Sequence, residues 1–100
     1  MGNYRNSHGQ TVKITPGTLK CLRKRSADAV KPEVLEVLDR TSKQGLCKNA
    51  VVQLENIGLE LNVRFDTIMG VMKELCEKGL LNKLDRQYQM LRTIQEDDYM

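Results

Sequence analysis

"RFDTIMGVMKELCEKGLL", Arg64 to Leu81, is the stretch on which the fold turns. Phe65, Ile68, Val71, Met72 and Leu75 recur at steps of three and four, the spacing that lines one side of an α-helix. Gly79 follows as a stop, because glycine readily takes the left-handed conformation that ends helices. With the apolar side turned to a core, Thr67, Gly70, Lys73, Glu74 and Glu77 are expected to face solvent.

Working outward toward the C-terminus, "LLNKLDRQYQMLRT" (80–93) predicts two strands about a turn at Asp85–Gln87. Leu81 and Leu84 lie on one side, answered by Tyr88, Met90 and Arg92. Toward the N-terminus, Asn49 suits the cap of a helix that ends at Gly58, with Ala50, Leu54 and Ile57 on one face. "LELNV" (59–63) then reads as a tight connection. Before it, Pro32 fits the first turn of another helix, striped by Val34, Leu35 and Leu38 and stopped at Gly45. Leu46–Cys47 leaves room for only a very short strand. The order is three helices, a tiny strand between the first two, then a hairpin: mainly α with a small β-hairpin.

The flanks look different. Residues 1–15 are expected to be a flexible arm, polar and glycine-bearing to Gln10 with a short extended piece at 11–15. Residues 16–30 predict a basic, helical extension: Thr15 can cap, Pro16 suits the first position, and Leu19 and Leu22 fall at i, i+3. This is the one extra N-terminal helix the fold has room for, and its two leucines can pack on their own core or across a homodimer two-fold. "IQEDDYM" (94–100) is an acidic tail with no pattern that predicts folding.

The ladder Ile68, Met72 and Leu75, then Gly79-Leu80-Leu81, then the "LDRQYQMLRT" hairpin resembles a winged-helix (winged helix-turn-helix) domain over 31–93, three helices plus a wing. Among its branches, "VLEVL…QGLCKNAVVQLENI…TIMGVMKELCEKGLL" is similar to the C-terminal winged helix of the middle subunit of replication protein A. There a similar opening precedes a similar ladder, the same closing glycine and an Asp-rich wing tip. The resemblance implies a module that docks short partner helices from repair proteins on the wing and the end of the third helix. Here that face would be Cys76, Glu77, Lys78, Asn82, Lys83, Leu84 and Asp85, with Met69 beside it as an adaptable contact.

Composition narrows the function. The net charge of +3 divides unevenly: Met1–Lys31 holds seven Lys or Arg against one acid, and Pro32–Met100 holds nine against twelve. A basic N-terminal segment on an acidic body suits nucleic acid or an acidic partner. Cys21, Cys47 and Cys76 lack ligand spacing, so no disulfide, metal or cofactor is expected, and a reducing compartment, nucleus or cytosol, follows. No run approaches the ~18 apolar residues of a membrane span. His8 is the single histidine and sits in the arm, and neither a nucleophile–base pair nor a glycine-rich phosphate loop is present, so an enzyme is not expected.

Two partner classes remain. Nucleic acid, duplex or single strand and without sequence preference, would be held by Lys20, Arg23, Lys24 and Arg25 of "KCLRKR", by Arg64 and Lys73, and by Lys83 and Arg86 on the wing. The third helix is expected not to read bases: Gly70 has no side chain and the two glutamates offset Lys73. The alternative is the docking face, receiving a partner helix. Either role belongs to replication, repair or transcription.

Overall fold

The side chains of Ile68, Val71, Met72 and Leu75 are fully buried in the computed structural model of the chain, and the other elements are arranged around them. The structure describes residues 2–45, 51–85 and 87–99, with the backbone alone at 43–45. The order is β1 (Asn3–Arg5), β2 (Thr11–Lys13), α1 (Pro16–Lys20), α2 (Ala27–Gly45), β3 (Val51–Gln53), α3 (Leu54–Leu61), α4 (Phe65–Glu77), β4 (Leu81–Lys83), β5 (Gln87–Met90) and a closing 3-10 turn, Glu96–Tyr99. Among the described residues the arrangement is α+β: four helices, an antiparallel sheet in the order β3-β5-β4, and a separate hairpin of β1 and β2.

Helix α2 carries the second wall of the core. Val30, Val34, Val37 and Leu38 repeat at helical spacing and are buried with Leu35 against α4 and α3. The helix begins at Ala27, five residues before the expected Pro32. Ser26 supplies the cap: its hydroxyl accepts the Ala29 N–H at 3.3 Å and its carbonyl accepts the Val30 N–H at 3.2 Å. Pro32 is therefore inside the helix, on its exposed side, where it offers no N–H to the carbonyl four residues back. Gly45 is the last residue of the helix.

The segment after it departs further from expectation. The sequence predicts a helix over 49–58; Val51–Gln53 is a strand instead, and α3 occupies Leu54–Leu61. Val51, Val52 and Gln53 pair with Gln89, Tyr88 and Gln87 of β5, and the β-branched valines suit that pleat. Gly58 does not end the helix but lies within it, because the Phe65 ring occupies the space a side chain would need. The left-handed residue is Asn62 (φ 60°, ψ 42°), and it leaves "LELNV" mostly helical rather than a connection. The strand expected at Leu46–Cys47 and the cap expected at Asn49 lie outside the described residues.

Both chain ends are folded where loose segments are expected from sequence. In the N-terminal hairpin, Asn3–Arg5 pairs with Thr11–Lys13. Asn6 builds its turn by accepting the His8 and Gln10 N–H groups at 3.0 Å, and Gly9 takes φ 81°. Ser7 at the tip is buried and donates its N–H and its hydroxyl to the two carboxylate oxygens of Glu60 in α3, each at 2.5 Å. Arg40 of α2 completes the cluster, reaching Glu60 at 3.1 Å and the Ser7 hydroxyl at 3.0 Å. At the C-terminus, Asp98 is only 6 % exposed. Arg92 grips both its oxygens, at 2.8 and 2.9 Å, and the Gln95 N–H adds a third bond at 2.7 Å. Arg92 thus serves the tail and not the inner face of the sheet, and Leu84, expected inward, is 39 % exposed. Among the described residues no helix is long and apolar enough to cross a membrane.

Candidate nucleic-acid interface

The turn between α3 and α4 is covered by the chain that precedes α2. The basic run 20–25 is helical only at its start, since α1 ends at Lys20. Cys21 turns the chain out of the helix, and Arg23 forms a parallel bridge with Val63. The Arg23 N–H donates to the Asn62 carbonyl at 2.9 Å, and the Arg64 N–H donates to the Arg23 carbonyl at 2.9 Å. Two residues on, the Thr67 hydroxyl donates to the Arg25 carbonyl at 3.2 Å. Val63 beneath this crossing is fully buried.

This corrects the placement of Thr67, for which the sequence predicts a solvent-facing position. It is half-buried and held by the arm, so it is withdrawn from any surface α4 presents. Gly70, Lys73 and Glu77 are exposed as expected. Glu74 is half-buried: one of its oxygens lies 3.1 Å from Lys31 of α2 and 3.8 Å from Lys78. The adjacent Lys31 ammonium holds Lys78 below the ordinary lysine range. Lys78 therefore belongs to an ionic cluster beside α2.

The expected nucleic-acid contacts separate accordingly. Lys20, Arg23, Lys24, Arg64 and Lys73 are all exposed, and backbone pairing brings residue 23 beside residue 64 at the start of α4. Asp66 is the acid in the first turn of that helix, and its 3.7 Å pair with Arg64 is solvent-washed and contributes little. Arg25 is different: it lies 2.6 Å from Glu33 of α2 and is engaged there. Lys83 is exposed on β4, at the far end of α4, and Arg86 lies outside the described residues.

The expected docking face is divided in a similar way. Met69 is 51 % exposed, and with Lys73, Cys76 and Glu77 it follows the helical spacing of one side of α4. Burial raises the Cys76 thiol, and the charge of Lys83 acts against that rise. Asn82, Leu84 and Asp85 are exposed nearby on the wing. Among the described residues no three His, Cys, Asp or Glu side chains converge to hold a metal, and Cys21 and Cys76 are free thiols. Cys47 lies outside the described residues.

What sequence reasoning missed is the cleft between α1 and the start of α4. It is about 520 Å³, open to solvent, and lined by Leu19, Leu22, Arg64, Phe65 and Asp66. The i, i+3 spacing of Leu19 and Leu22 signals an apolar face there, but their partner Phe65 falls on the inward stripe of α4. Compared with family models, curated proteins and solved structures, the chain matches none.

Proposed function

We propose that this chain is a non-enzymatic winged-helix module of a DNA transaction in replication, repair or transcription, holding nucleic acid by its phosphates through the basic arm. The element order supports the winged-helix reading: helix α2, short strand β3, helices α3 and α4, then the hairpin of β4 and β5 paired to β3. The observation that carries the binding reading is the backbone pairing of Arg23 across the α3–α4 turn. It occupies the Arg64 N–H, and two residues on the Arg25 carbonyl occupies the Thr67 hydroxyl, groups that a groove-reading helix would turn to DNA. In their place it sets exposed Arg23 and Lys24 beside Arg64. Cations on a backbone-anchored strand suit phosphate contact, which carries affinity without sequence information.

The test is the salt dependence of binding, followed by fluorescence anisotropy. Replacing Lys20, Arg23 and Lys24 together by Ala is expected to flatten the slope of log K against log salt by about 0.7 to 0.9 for each phosphate no longer neutralised. Affinity should fall equally for all sequences, and Lys73→Ala should leave sequence preference unchanged. A slope unmoved by the arm substitutions would refute the proposal. A second reading, docking of a partner helix, has one observation in its favour: Met69 stands half exposed on the side of α4 that also carries Lys73 and Cys76. An NMR titration with a basic helical peptide that shifts Met69 and Asn82, and leaves Arg23 and Lys24 in place, would favour it.

A further inference from the structure

Resting on the phosphate-binding reading above, we infer that the nucleic acid held at this face is single-stranded, with one unstacked base seated in the cleft between α1 and α4. The cleft has the two components such binding needs, an apolar seat for a base and cations around it for the backbone. The seat is Leu19, 40 % exposed on α1, with Leu22 and Phe65, both half-buried. Exposed Lys20 adjoins Leu19 in the chain, and exposed Arg23 and Lys24 follow Leu22 directly. Arg64 lines the cleft itself, where a guanidinium can stack on a base or hold a phosphate. Asp66, also in the lining, can accept a hydrogen bond from a base N–H.

The seat is backed from two sides. The Phe65 ring is backed by Gly58: a Cβ at residue 58 would lie 2.6 Å from one ring carbon and 2.8 Å from the next. From the other side, the Arg23 bridge ties the Leu22 end of the cleft to the turn that precedes Phe65. A seat of this kind has little to offer a duplex. There the bases are stacked and paired inside, and what meets a protein surface first is charged phosphate, which gains nothing against leucine. The covering of the α4 N-terminus by the arm removes the ordinary approach to a duplex groove as well.

The experiment is anisotropy at fixed salt with the full chain and three probes of equal length: an oligothymidylate strand, an abasic strand and a duplex. The oligothymidylate is expected to bind about 5- to 160-fold more tightly than the abasic strand, the range of one base stacked on an aromatic side chain. The double variant Leu19→Ser, Leu22→Ser should erase that difference and keep the abasic affinity. In the unsubstituted protein the thymidylate strand, and not the abasic one, should shift the Leu19 methyl and Phe65 ring resonances, a readout independent of how well the variant folds. If abasic strand or duplex binds as tightly as oligothymidylate, phosphate binding stands and the base seat is refuted. If none of the three binds, the phosphate-binding reading fails and the seat with it.

Discussion

The two ends of the chain solve the same problem differently. Each is a short polar segment too small to bury a core, and each is fixed by one carboxylate. At the C-terminus the bonds are local: Asp98 binds Arg92 six residues away, and Gln95 between them. At the N-terminus Ser7 binds Glu60, fifty-three residues away, with Arg40 as the third member. The local clamp closes a small loop and costs little chain entropy to form; the distant one closes a far longer loop and costs more. Burial pushes the Glu60 carboxyl up, but the Ser7 hydroxyl and amide and the Arg40 guanidinium outweigh it and hold it below the usual range. Asp98 is held lower, to about 2, by Arg92 first.

The largest test removes what both clamps depend on. Leu75→Ala empties a fully buried site on α4 and should cost about 2–5 kcal/mol in denaturant unfolding. Hairpin and tail should then lose amide protection together; if either end stays protected, it is held independently of the core. Next, Glu60→Ala removes the acceptor that Ser7 and Arg40 share, and should cost about 1.5–3 kcal/mol, the range for hydrogen bonds to a charged group. Hydrogen exchange should rise through Asn3–Lys13 while the Gln95–Tyr99 amides keep their protection. Equal loss at both ends would show the clamps to be coupled.

The smallest effect separates the two by pH. Asp98 has a lower pKa folded than its ordinary 3.8, so its contribution is fully present above about pH 4 and is lost as the pH falls toward 2. That contribution is on the order of 2 kcal/mol for a side chain so little exposed. Between pH 5 and pH 2, stability should therefore fall less steeply in Asp98→Asn than in the parent chain. Parallel profiles would remove Asp98 from the account.

These features also mark where sequence stops being informative. The α4 stripe, the Gly79 stop (φ 78°) and the Thr15 cap are legible because each is decided within a few residues. Leu38, Leu54, Ile57 and Leu81 join the core for the same reason of periodicity. Val51 and Val52 look helical in sequence because Val51 happens to continue a helical face, and nothing local reveals pairing with Gln87–Gln89. Gly58 misleads as a stop because the ring that requires its bareness comes from residue 65. Asn62 is a fair local signal for the true stop, since asparagine is among the few residues that tolerate φ near 60°. At the interface, the basic run is legible as charge alone. Its course, and the loss of Arg25 to Glu33, depend on elements distant in sequence.

The crossing at Arg23 uses only main-chain atoms, an N–H given to Asn62 and a carbonyl offered to Arg64. Its side chain has no part in holding the turn. Side chains other than proline, which lacks the N–H, and glycine, which frees the backbone, can therefore stand at position 23 with these two bonds kept. Architecture and surface chemistry are separable there: exchanging the guanidinium for an acid, an amide or an aromatic ring changes what the protein presents to a partner and leaves the two main-chain bonds in place.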